Sequence, residues 1–176
     1  MELFDAITAR ASYRGKYTDH PVPREDLERI VDAGIRAPSG YNGQSTSFVI
    51  VTDPELRAQV AELAGTSDVL TTAPAIIVVV MDPTATADRE FNFGVEDYAA
   101  STENMLLAIT ALGYASVWID GALRRNDVAG HIARLLDVPE RMEVRVILPV
   151  GAPAEPLSHR AKRPFAERAW FERFGA

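Results

Sequence analysis

The sequence predicts one α+β or α/β domain with four strands and five or six helices. Three observations carry that prediction. Segments with helical spacing alternate with short β-branched runs along the whole chain. One run, residues 74–81, is apolar on both faces, as a central strand covered on two sides should be. Finally, 176 residues at 47% hydrophobic and 24% charged, with no repeat, low-complexity tract or linker, suit a single soluble domain with a full core.

The elements follow in order. Leu3, Phe4 and Ile7 give a short amphipathic helix over about residues 2–9. After the turn-like Thr18-Asp19-His20-Pro21-Val22-Pro23, the residues Leu27, Ile30, Val31, Gly34 and Ile35 form one helical stripe. Pro38 and Ser39-Gly40-Tyr41-Asn42-Gly43 end that helix in a loop. Ser47-Phe48-Val49-Ile50-Val51 reads as a strand, and Asp53-Pro54-Glu55 as the start of a helix reaching about residue 64. Beyond the central strand, residues 82–94 read as a loop. The longest helix then covers about 96–112, its C-terminal half apolar nearly all round, with Gly113 as its cap. Such a helix half belongs in a core or against a partner subunit. Ala115-Ser116-Val117-Trp118-Ile119 is a short strand, a helix follows near 125–136, and residues 144–151 form the last strong strand. The tail is basic until Phe165, Trp170, Phe171 and Phe174, which must dock on their own domain or on a second subunit.

Composition excludes several function classes. A net charge of −7 argues against non-specific nucleic-acid binding. The absence of cysteine removes disulfides, thiolate metal sites and cysteine nucleophiles. No apolar run approaches membrane-spanning length and no signal peptide is visible, so a cytoplasmic protein without membrane association is the expectation. His20, His131 and His159 are far apart in polar sequence, and no metal site or catalytic triad is assigned to them. Walker A, G-x-G-x-x-G, H-E-x-x-H and G-x-S-x-G patterns are missing.

Four polar segments remain. In Arg10-Ala11-Ser12-Tyr13-Arg14, alternate residues of an extended backbone share one side, so Arg10, Ser12 and Arg14 can converge on one anion. A solvated helix end, its cations near the negative dipole terminus, explains them equally well. In Pro38-Ser39-Gly40-Tyr41-Asn42-Gly43-Gln44, two glycines permit close approach of a flat ligand, and Ser39, Asn42 and Gln44 offer donors and acceptors. A capped helix-to-strand loop is the alternative. Trp118-Ile119-Asp120-Gly121 ends a strand where backbone amides could meet a ring nitrogen, or is simply a turn. Arg160-Ala161-Lys162-Arg163 supplies cations from the other end of the chain. A dianionic phosphate needs such cations from more than one segment, though a lone charge run is ordinarily just solvated.

In this order the four segments resemble the flavin-dependent nitroreductase family. The likeness runs through the R-x-S-x-R opening, Pro-Val-Pro before a Leu/Ile helix, and the A-P-S…N-x-Q loop before Phe-Val-Ile-Val. It continues through Glu103-Asn104-Met105-Leu106-Leu107, the Leu-Gly-x-x-Ser-Val-Trp-Ile segment, Leu-Pro-Val-Gly, and the basic tail before Pro164. The resemblance implies a dimeric α+β fold of three layers (α/β/α), with a central, mostly antiparallel sheet of four to five strands. It implies one FMN per site at a homodimer interface, NADH or NADPH as donor, and a small-molecule acceptor such as a nitroaromatic or quinone.

On the same footing, Arg10 and Ser12 meet the phosphate with Arg160 and either Lys162 or Arg163. Ala11 lies between them, and Arg14 reaches the pyrimidine edge. Pro38, Ser39, Gly40 and Asn42 come from the other chain, while Ile119, Asp120 and Gly121 lie beside the isoalloxazine. No catalytic side chain is implied, because the flavin carries the chemistry. A dehalogenase or dehydrogenase on the same fold, or a flavin-binding protein without turnover, is the alternative. The chain departs from the family where Gln44-Ser45-Thr46 replaces the common Gln-Pro-Trp, and in its compact 64–72 and 82–94 regions.

Overall fold

Residue parity along one strand organises the molecule. The computed structural model describes residues 1–86 and 88–175. Strand β2 (Ala75–Met81) is buried at all seven positions and lies between β1 (Thr46–Val51) and β3 (Glu143–Val150), antiparallel to both. Side chains alternate across a strand. Ile76, Val78 and Val80 therefore enter one core with Val60 and Ala64 of α3 (Pro54–Ala64) and Ile132 of α6 (Val128–Leu135). Ala75, Ile77, Val79 and Met81 enter the opposite core with Leu27 and Ile30 of α2 (Arg24–Ile35) and Met105 and Ile109 of α5 (Gly94–Ala111). Helices, sheet and helices make the three layers that the resemblance implies.

Local chemistry fixes the ends. Asp53 Oδ1 accepts from the backbone N–H of Glu55 (3.0 Å) and Leu56 (2.9 Å), capping α3 with Pro54 in its first turn. Helix α1 (Leu3–Ala9) packs on α5, and a single turn, α4 (Asp68–Thr71), buries Val69 and Leu70. Arg145 is the extra residue of a β-bulge, since Val79 pairs with Val146 and Val80 with Val144. The bulge turns Val144 toward the α3/α6 core, whereas Val146 faces α2 and α5.

The sheet has three strands among the described residues, which corrects the expected four to five. Residues 115–119 do lie beside β3, but pair with it only at Ala115–Gly151 and Ile119–Ile147. The next position of that ladder would set Val117 against Pro149. Proline has no N–H to donate, and the Pro149 carbonyl accepts instead from the Tyr17 hydroxyl at 3.1 Å. The ladder breaks there.

Trp170 of the aromatic tail is half-buried, but the tail's other rings are not covered by this chain. Phe165, Phe171 and Phe174 are exposed, as are Leu3, Phe4 and Ile7 on α1 and Ile35 at the end of α2. Leu107, Ala108 and Ala111 of α5 line an open groove with Leu3 and Ala33. The apolar half of α5 is thus buried on one side and only half-covered on the other.

Candidate functional site

Tyr13 sets the geometry of the first polar segment. Its ring is buried against Tyr17 (centroids 5.2 Å apart), and its hydroxyl donates to the Lys16 carbonyl. The Tyr13 N–H donates to Ser116 O at 2.9 Å, and Ser12 bridges Ser116 in parallel, so the segment is extended. With Tyr13 turned inward, Ser12 and Arg14 face out by strand alternation.

Arg10, Ala11, Ser12 and Arg14 line a cleft of about 450 Å³ whose other wall comes from the tail, including Arg160 and Lys162. Three guanidinium groups, one ammonium and the hydroxyls of Ser12 and Ser158 face a single lining carboxylate, Glu155. In a chain of net charge −7 this is a concentrated positive site. Forked and point cations together with hydroxyl donors suit a phosphate monoester. Arg10 Nε also lies 3.7 Å from Glu103 Oε1 on α5, a long ion pair, while Arg10 lines the cleft. Arg163 is exposed and does not line the cleft, which separates it from Lys162.

The second segment forms a strained turn at the N-terminal end of α5. Tyr41 (φ 54°), Asn42 (54°) and Gln44 (48°) all occupy the left-handed region. Ser39 Oγ accepts from the Gln44 N–H at 3.0 Å, and the Gly40 N–H donates to Asp97 Oδ1 at 2.8 Å. A Cβ on Gly40 would fall 2.2 Å from the Phe93 ring, so only glycine fits there. Pro38 and Asn42 are exposed. This loop does not line the cationic cleft of its own chain.

The third segment adjoins the first through Ser116. Ile119 exchanges backbone hydrogen bonds with Ile147, after which Asp120 opens a turn, its carboxylate accepting from Arg124 at 2.7 Å. Nothing of the chain lies within 4 Å of a Cβ at Gly121, so that backbone is open to a ligand. Asp120 itself lines a second cavity, of about 380 Å³, together with Arg124, Asp127 and Arg145.

The family model of the nitroreductase family matches residues 7–67 and 61–152. The chain belongs to the nitroreductase family. It is 34% identical over 154 residues to a protein of Archaeoglobus fulgidus that carries the provisional name NADH dehydrogenase/NAD(P)H nitroreductase, covering 88% of this chain and 87% of that one. It is 27% identical over 179 residues to the FMN reductase [NAD(P)H] of Bacillus subtilis, covering 93% and 70%. Among solved structures, nitroreductase A of Vibrio parahaemolyticus superposes with a TM-score of 0.85 at 28% identity, covering 100% of this chain and 78% of that one.

Within this nitroreductase, Ser45 stands where many members carry the proline of Gln-Pro-Trp. Its hydroxyl is buried and donates to Asp97 Oδ2 at 2.6 Å. Asp97 is the residue that sequence reasoning missed. An acid in the first turn of a helix looks like ordinary complementation of the helix dipole, and its partners lie more than 50 positions away. Among the described residues, no helix of this nitroreductase is long and apolar enough to cross a membrane.

Proposed function

We propose that this nitroreductase binds FMN and passes electrons from NADH or NADPH to a small-molecule acceptor, such as a nitroaromatic or quinone. The observation that carries the reading is the cleft in which Arg10, Ser12 and Arg14 meet Arg160 and Lys162 from the opposite end of the chain. That donor set fits the phosphate of FMN: Arg10, Arg160 and Lys162 offer three cations to a dianion, and hydroxyl donors meet the remaining oxygens. The names of the relatives from A. fulgidus and B. subtilis point the same way.

The chemistry supplied by a bound FMN is two-electron hydride transfer, with donor and acceptor visiting in turn. The residues of the chain bind, orient and set charge. Arg10, Ser12, Arg160 and Lys162 hold the phosphate end, and Ala11 keeps the wall between them low. Arg14 puts a fixed positive charge at the pyrimidine edge of the ring, where electrostatic stabilisation needs no proton transfer. Ile119, Asp120 and Gly121 place backbone beside the ring. Pro38, Ser39, Gly40 and Asn42 complete the site from a second copy.

That second copy gives the protein its homodimer. In one chain α1 and the aromatic tail leave Leu3, Phe4, Ile7, Phe165, Phe171 and Phe174 exposed and the α5 groove open, apolar surface that a monomer rarely tolerates. A two-fold interface would cover it and bring the strained loop of each copy to the cleft of the other.

The purified protein is expected to be yellow or to take up added FMN, with its visible flavin bands bleached anaerobically by NADH or NADPH and restored by the acceptor. A colourless protein that ignores added FMN would contradict the reading.

A further inference from the structure

Asp97 is 3% exposed, and among the described residues no cation lies within 4 Å of it. Burying an unpaired carboxylate is costly, so such a group survives only where donors meet both oxygens. Here they do, and the two donors bracket one loop. The Gly40 N–H at its start reaches Oδ1 (2.8 Å), and the Ser45 hydroxyl at its end reaches Oδ2 (2.6 Å). Between these two points lie all three left-handed non-glycine residues of the region, Tyr41, Asn42 and Gln44. Residues held in that region cost about 1–3 kcal/mol each and persist only where their surroundings over-determine them. A plain connection from α2 to β1 needs no such conformation.

We infer that Asp97, with Ser45, is a positioning residue that clamps both ends of the 40–44 loop and so presents Asn42 to the flavin held by the other copy. The inference rests on the flavin-binding reading. Phe93 closes the clamp from the other side, its ring filling the space a side chain at position 40 would need. Position 97 suits a carboxylate, since the amides of the first turn of α5 favour negative charge. Ser45, the point of departure from the family resemblance, gives the clamp its second donor.

FMN titrations followed by flavin fluorescence, with hydrogen exchange of the apoprotein, test this. Ser45→Ala is expected to weaken FMN binding about tenfold and to speed exchange of the Gly40 amide and residues 41–44, leaving β2 exchange unchanged. Asp97→Ala should weaken binding further. Asp97→Asn, which keeps an acceptor for the Gly40 N–H, should recover most of the loss, and β2 exchange that stays at the wild-type rate separates these effects from general destabilisation. Should Asp97→Ala fail to fold, Ser45→Ala decides alone, because it removes one of the two donors and leaves the Gly40 N–H contact to the carboxylate in place. Wild-type FMN affinity and loop exchange in Ser45→Ala, alongside loss of binding in Arg10→Ala, would overturn the clamp and leave the flavin site standing. Wild-type affinity in Arg10→Ala as well would remove the phosphate assignment and the clamp with it.

Discussion

Alanine at position 10 is expected to weaken FMN binding about 30- to 150-fold. Hydrogen bonds to charged groups contribute about 2–3 kcal/mol, and each 1.4 kcal/mol is roughly tenfold in affinity. Arg10 lines the cleft beside Ser12 and holds no other strong partner, since its contact to Glu103 is long and half-exposed. Pairs of that kind add little to stability, so the melting temperature should hardly move. Equilibrium titration of the apoprotein with FMN reads the loss, and Arg163→Ala is the matched control. Arg163 carries the same charge in the same tail but lies outside the cleft lining, so its removal should change affinity less than about threefold. Equal losses in the two variants would mean that the tail attracts anions diffusely and that no built phosphate site exists.

Phe4→Asp is the second large effect. Phe4 is 79% exposed in the single chain, so an isolated monomer should accept the charge with little change in stability. In the two-fold dimer proposed above, the same residue would be buried once in each copy. Burying a phenylalanine contributes about 1.5–3 kcal/mol, so the pair contributes about 3–6 kcal/mol, before the cost of desolvating two carboxylates. Dimer dissociation should therefore strengthen at least about a hundredfold. Flavin should be lost with it, because the 38–42 loop would no longer reach the other copy's cleft. Sedimentation velocity at micromolar concentration reads the first effect and flavin content the second. A Phe4→Asp protein that stays dimeric and yellow would place the interface elsewhere.

Much of the architecture was legible in the sequence because it depends on short-range pattern. The apolar run at 74–81 has the pattern of a strand covered on both faces, and β2 sends its alternate side chains into two cores. The spacing of Leu27 and Ile30 likewise marks the buried stripe of α2. The failures are long-range. The 115–119 segment has good strand composition, and what interrupts its ladder is a proline more than 30 positions later. The single turn α4 is too short for any periodicity to show.

The site divides in the same way. R-x-S-x-R announced itself through alternating polar residues, and Tyr13 confirms the extended backbone that alternation requires. One residue separates Lys162 from Arg163, and only the path of the tail puts Lys162, not Arg163, in the lining of the cleft. The Asp97 clamp was out of reach of sequence reasoning, because what marks it is the convergence of Gly40 and Ser45 on one buried carboxylate.

Comparison of FMN with riboflavin tests most directly whether cations from the two ends of the chain grip a phosphate. The two ligands share the ring and ribityl chain and differ only in the dianion. Riboflavin is expected to bind at least about a hundredfold more weakly than FMN to the wild-type protein, and Arg10→Ala should narrow that gap. Equal affinity for the two ligands would contradict a phosphate site built by Arg10, Ser12, Arg160 and Lys162.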